Sequence, residues 1–276
     1  MSQNSRMARY HANEEPEPQQ QPASPTAYQR RPALARWVAF LLLLLTVTVG
    51  LRLTVFNANY TAGVVSRSSY GEKVINHLND DLENLGISGA PITSGVAQPY
   101  LAVGVAQLYG ETATAVGTTD LSAAVSSQAQ ALGVTASSKL LSQVSQEAQK
   151  RAKAAFNTPA MQQAAIQIQR AKKLNFWAML AAVLLLIVTF FYALSVHHVF
   201  GSLGPGLALG GLLTVLVGVG GYFLLPFVLT GTSQMVNNLL TAIGRSGLGV
   251  IMFAGAAEII IGGLVLLGHR TFRREN

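Results

Sequence analysis

One ionisable side chain stands where hydrocarbon is expected. Glu258 falls about eleven residues into the apolar run 247–268, near the middle of a stretch long enough to cross a bilayer. A carboxyl at that depth is expensive unless it is paired, protonated or hydrated, and a proton or cation pathway would need such a group. Gly255 and Gly262 lie on the same helical face, which turns that face toward another helix rather than toward lipid. Against conduction, no span offers a second acid, and Arg52, the basic residue within a span, sits at a different depth. The favoured expectation is a protonated carboxyl bonded across the interface to Thr214, Thr189 or a backbone carbonyl.

Other chemistry finds less support. His197 and His198 are adjacent, so they cannot share one helical face, and no carboxylate or cysteine accompanies them at metal spacing. Interfacial residues at a span end are the expectation, with no metal site and no cofactor. The glycines of Gly218-Val219-Gly220-Gly221 lie inside an apolar run with no preceding strand and no following lysine, which excludes a phosphate loop. Asn59-Tyr60-Thr61 matches a glycosylation sequon that has meaning only in a eukaryotic secretory setting. No Ser/His pair or paired acids share a depth, so no catalytic residue is assigned and the chain is not expected to be an enzyme. The chain has no cysteine, which excludes disulfides and thiolate chemistry.

These residues must be positioned by helices. Hydrophobic residues make up 50% of the 276 residues and charged ones 11%, with a mean hydropathy of +0.36, values that fit poorly with an ordinary globular surface. The apolar residues are concentrated in four runs, 37–56, 174–196, 207–229 and 247–268, each near the twenty or so residues that cross about 30 Å of hydrocarbon. The fold class is therefore all-α, with four transmembrane helices and a helical domain at residues 57–173 between the first two. The first run follows 36 residues and lacks small residues at both cleavage-determining positions, so it reads as a retained span rather than a signal peptide. In the third span, Gly206, Gly210, Thr214 and Gly218 recur every four residues as a small-residue ridge for a neighbouring helix, and Pro226 is expected to kink its end.

Arginines at both ends set the orientation. Arg6, Arg9, Arg30, Arg31 and Arg36 precede the first span, and Arg270, Arg273 and Arg274 follow the last. Both tails, 1–36 and 269–276, are accordingly expected in the cytoplasm of a multi-pass cell-membrane protein, which places residues 57–173 and the loop 230–246 outside. Lys172 and Lys173 at the outer mouth of the second span pull the other way, but a long translocated domain responds weakly to charge. The net charge of +7 is thus largely topological, implying contact with the lipid bilayer and not with nucleic acid. The tail 1–36, rich in Gln, Pro, Glu and Ser, cannot bury enough apolar surface to fold and is expected to be disordered.

Within residues 57–173 the period is helical. A start reads at Ser69, with Glu72 three residues on as a capping box. Val74, Leu78, Leu82 and Leu85 then form one stripe, and Gly86 ends it. Residues 96–109 are too short to span and read as the buried hairpin partner. Further helices follow Asp120, cover 137–156, and start at the Thr158-Pro159 pair. With no breaker before residue 196, that last helix would be about 57 Å long and would project some 20 Å beyond the membrane. The Ala- and Ser-rich composition of 119–171 suits plain helical packing, since heptads are not sustained. A pocket between these helices would use Tyr100, Gln107 and Tyr109 as a ligand or partner surface.

Asn57-Ala58-Asn59-Tyr60, Ser69-Tyr70-Gly71-Glu72-Lys73-Val74, Leu78 and Leu82, Gly89-Ala90-Pro91 and Tyr109-Gly110 together resemble an uncharacterised group of Gram-positive membrane proteins with one span, a helical outer domain and three further spans. The group usually carries a second aromatic where Gly71 stands and a larger apolar residue where Ala90 stands. The resemblance covers residues 57–110 and implies this topology and a bacterial cell membrane, without naming a reaction.

The function expected is that of a non-enzymatic cell-envelope protein that binds, senses or scaffolds through its extracytoplasmic helical domain. A small transporter, channel or accessory subunit using Glu258 is the alternative. A protein partner in the membrane or envelope is expected, and on this reading a cytoplasmic partner is needed as well because neither tail can signal alone. Self-association through the glycine-rich spans, with Gly206, Gly210, Gly218, Gly255 and Gly262 as packing positions, stays open because packing within one chain would use the same residues.

Overall fold

The computed structural model describes residues 32–84, 87–112, 119–133, 137–195, 199–229 and 233–272, and among these every regular element is an α-helix. The N-terminal tail through Arg31, the expected helix stop at Gly86, the His197-His198 pair and residues 273–276 lie outside the described residues. Nine helices are described: α1 Pro32–Leu53, α2 Ala58–Val65, α3 Ser69–Asn84, α4 Ser94–Leu108, α5 Thr119–Ala131, α6 Ser138–Phe156, α7 Pro159–Ser195, α8 Val199–Val228 and α9 Gln234–Phe272. Four segments are long and apolar enough to cross a membrane: Ala33–Leu53, Pro159–Ser195, Leu203–Val228 and Gln234–Gly268.

The helix ends differ from the hydropathy boundaries. α1 begins at Pro32, inside the stretch expected as tail, because proline suits a first helical position and Ala33, Leu34 and Ala35 are good helix formers. The largest correction concerns 230–246, expected as a loop. From Gln234 it is helix, continuous with the fourth span. Ser233 Oγ accepts from Val236 N at 3.4 Å, a capping contact at the helix start. Val236, Leu239, Leu240 and Ile243 then form a stripe at helical spacing that packs into the core of the helical domain.

Small residues set the spacing of the long helices. α8 and α9 form an antiparallel pair, in which Gly204, Ala208, Gly218, Gly221 and Leu225 meet Leu266, Gly262, Met252, Leu248 and Gly244 in turn. At the closest backbone approach a Cβ on Gly211 would lie 2.4 Å from Gly255 O, and one on Gly262 2.5 Å from Ala208 N. The expected ridge Gly206–Gly218 does not serve a single neighbour. Gly206 and Gly210 face Val38 and Ala39 of α1, while Gly218 faces Met252 of α9. A four-residue step advances by about 40° round an α-helix, so three steps turn the ridge by about 120°, from one neighbour to the next.

α1 is the hub. It meets α8 at Val38 and Ala39, and meets α9 where Gly50 abuts Ile251 and Thr54 abuts Gly247. It holds α7 by hydrogen bonds, Trp37 Nε1 donating to Thr189 Oγ1 at 3.2 Å and Asn175 Nδ2 to the Thr48 carbonyl at 2.9 Å.

The helical domain forms around α4, which is apolar on most of its faces and therefore central. Gly104 lets α6 approach, since a Cβ there would lie 2.2 Å from the Phe156 ring. α3 starts one residue later than its cap: Ser68, not Ser69, accepts from Gly71 N at 3.2 Å. Gly71 is forced, because a Cβ there would lie 2.1 Å from the Val65 carbonyl oxygen. Thr158 caps α7 as expected, accepting from Met161 N at 3.3 Å.

Neighbouring glycines of α9 allow a sharp test. Gly262→Ala is expected to destabilise the protein by about 1–3 kcal/mol through overpacking. Gly263, where a Cβ meets nothing within 4 Å, should accept alanine within about 0.5 kcal/mol. Unfolding of the two variants in detergent micelles measures the difference, and equal effects would contradict this register.

Candidate functional site

Glu258 has a partner, but not one of those expected. Thr46 of α1 donates to Glu258 Oε1, while Oε2 is buried with no hydrogen-bond partner. Thr214 donates instead to the Gly210 carbonyl at 2.9 Å, and Thr189 to the Leu185 carbonyl at 2.7 Å. Both follow the i−4 back-bonding habit of threonine in apolar helices. The signal for Thr46 was depth: it lies nine residues beyond Trp37, level with the middle of the fourth span. Glu258 Cβ presses on α8, where a Cβ added to Gly211 would come within 2.9 Å of it. The carboxyl is thus held where α1, α8 and α9 meet. Among the described residues no group of three His, Asp or Glu side chains could hold a metal ion.

Arg245, expected in a loop, lies instead in α9 with its guanidinium carbon 4.8 Å from the Tyr222 ring centroid, a cation–π contact at the edge of the apolar span.

Tyr100, Gln107 and Tyr109 do not converge on one surface. Tyr100 is 2% exposed, with its hydroxyl 3.3 Å from Ser145 Oγ in the core, and Gln107, two turns further along α4, is exposed. Burial pushes the Tyr100 hydroxyl above its ordinary pKa. Tyr109, 5% exposed, donates to the Val55 carbonyl and stands 2.8 Å from Thr61 Oγ1. Burial pushes its pKa up to about 12, partly offset by the Thr61 contact. It is therefore a neutral donor at physiological pH, locking the turn where α1 ends.

Tyr109 also lines a largely apolar cavity of about 270 Å³ at the junction of the domain with the long helices. Thr61, Val65 and Val105 come from the domain, Met161, Ala164, Ile168 and Ala171 from α7, Leu225 and Leu229 from the end of α8, and Leu239 and Ile243 from α9. The Lys172 Nζ lies 5.8 Å from the Tyr109 ring centroid and pairs with Glu111. With the Tyr109 hydroxyl engaged by the backbone, the wall presents mainly carbon to the interior, with Gln167 as a polar lining residue. Ligand pockets begin near ~300 Å³, so this space suits an alkyl segment or a small apolar molecule rather than a whole lipid. Sequence reasoning missed it because its lining is drawn from helices far apart in the chain, including the stretch read as a loop.

No family model matches this chain, and no curated protein or solved structure matches it either.

A double-mutant cycle tests the role of Glu258. Thr46→Val alone is expected to destabilise by about 1–2 kcal/mol, because it leaves the carboxyl without its donor. Glu258→Met should be near neutral, and Thr46→Val should then cost nothing further. Thermal unfolding in micelles reads the coupling, and additive effects would dissolve the pair.

Proposed function

We propose that this chain is a non-enzymatic, multi-pass protein of the cell membrane whose helical domain and membrane helices together bind an apolar molecule, with a lipid acyl chain as the occupant. The junction cavity carries this reading. It is lined mainly by carbon, and its floor is formed by residues where α7 and α8 leave the apolar zone, so a chain from the bilayer can enter it without crossing water. In this reading the domain lies outside the cytoplasm and both termini inside it, the orientation favoured by the arginines flanking the first and last spans. A protein partner in the envelope would receive the bound molecule or the signal of its binding. Glu258 then serves as a packing residue of the bundle.

Two measurements test it. In vesicles containing phosphatidylcholine with a diazirine on its acyl chain, irradiation should label Met161, Leu239 and neighbouring cavity residues. Ala164→Trp, which fills the cavity from α7, should reduce that labelling at least fivefold while leaving the outward-facing Phe190 and Phe223 labelled. Labelling confined to such outward-facing residues in the unaltered protein would reject the cavity as a site. The orientation can be read cleanly because the chain has no cysteine. A single Ser127→Cys, at an exposed position of α5, should react with an impermeant maleimide on intact cells. Reaction only after permeabilisation would invert the topology.

A further inference from the structure

A second recess adjoins the cavity and differs from it in chemistry. It is a groove of about 570 Å³ between the start of α3 and the start of α9, lined by Arg67, Ser69 and Lys73 on one side and by Gln234 and Asn238 on the other. Leu239 belongs to the walls of both spaces, and Val65, in the cavity wall, is two residues from Arg67 in the groove. Lys150, Arg151 and Lys172 have acidic partners, but neither Arg67 nor Lys73 has one among the described residues. A guanidinium and an ammonium facing one recess, with hydroxyl and amide groups beside them, suit a phosphate ester.

We propose that the groove takes the phosphate headgroup of an anionic lipid whose chain occupies the junction cavity. This rests on the cavity reading and names the class of its ligand: one amphiphile would reach past the shared Leu239, its phosphate in the charged recess and its chain in the apolar one. The position of the groove adds a mechanical consequence. The α9 side of the groove runs from Gln234 to Ala242, about 18 to 6 Å along α9 from Ser246, where the apolar span begins, so a headgroup at its Gln234 end would stand above the start of the apolar span. The lipid would be drawn partly out of the membrane, with its chain still pointing toward it.

The test uses the full chain in vesicles holding equal amounts of phosphatidylglycerol and phosphatidylcholine, with the same acyl-chain diazirine on one lipid at a time. Cavity labelling should favour phosphatidylglycerol on the order of tenfold, the scale expected for two cations near an anionic group. Arg67→Gln/Lys73→Gln should bring the ratio to about one while leaving phosphatidylcholine labelling unchanged, which also shows that the variant is folded. Equal labelling by both lipids in the unaltered protein, or a preference that survives the double substitution, overturns the headgroup assignment alone. Absence of cavity labelling by either lipid overturns the cavity reading and this inference together. Free glycerol phosphate at constant ionic strength should leave the preference intact, and its loss would assign the groove to a soluble phosphate ester instead of a lipid.

Discussion

The structure depends on two helices that do not stop where the apolar zone does. Hydrocarbon supplies no partner for a free backbone N–H or C=O, so a span that ends at the membrane edge must be satisfied by other groups, whereas one that runs on needs nothing. α7, with 37 residues, and α9, with 39, run on, and at 1.5 Å per residue each extends roughly 25 Å beyond about 30 Å of hydrocarbon. The domain is not tethered to the bundle by loops. Its core includes Met161 and Ala164 of α7 and Val236, Leu239 and Ile243 of α9, so the same helices belong to both halves. α1 does end, and the groups that break there are answered: Tyr109 donates to the Val55 carbonyl, and the Asn57 side chain accepts from Tyr60 N at 3.1 Å.

Close approach decides which helices pair. In an apolar solvent nothing drives helices together except packing and the few polar contacts they share. α8 spends its glycines on α1 and α9. α7 makes its hydrogen bonds to the bundle through α1, and much of its remaining surface, including Leu184, Val188 and Phe191, is exposed. The α7 side of the bundle is thus held by side-chain contacts at a distance, not by backbone against backbone, and the junction cavity lies between α7 and the end of α8.

Composition and hydropathy were enough to read an all-helical chain with four long apolar segments, because each run exceeds what a soluble core helix needs. The error over 230–246 has a physical cause. Ser233, Gln234, Asn237, Asn238 and Arg245 lower the mean hydropathy, yet Val236, Leu239, Leu240 and Ile243 keep the helical period, and period rather than average identifies a helix that leaves the membrane to join a soluble core. The partner of Glu258 was likewise a matter of depth, with Thr46 the level match among several threonines. The cavity could not be read at all. Its walls come from six helices, and nothing in a one-dimensional pattern says which of their faces fail to meet. Several residues between 57 and 71 are joint residues: Asn57 caps α2, the Tyr60 hydroxyl lies 2.7 Å from Ser246 Oγ of α9, Tyr70 donates to the Ala155 carbonyl, and Gly71 lets α3 meet the end of α2.

That coincidence of joint and cavity has a common origin. α1 stops at Leu53 and α8 at Val228, while α7 and α9 continue, so the cross-section changes from four long helices to two long helices with α2 and α4 beside them. Four-helix packing and the packing of a soluble domain have different spacings, the first set by glycine contacts and the second by side chains such as Phe156, Leu101 and Tyr109. Where the two meet, no single set of side chains fills the space. A void lined by carbon would ordinarily cost stability in proportion to its volume. In the function we propose, its place at the edge of the bilayer lets a lipid chain fill it. On that reading the domain needs no dedicated pocket, because its attachment to the membrane helices creates one, and a shift of that attachment would change how well the chain fits.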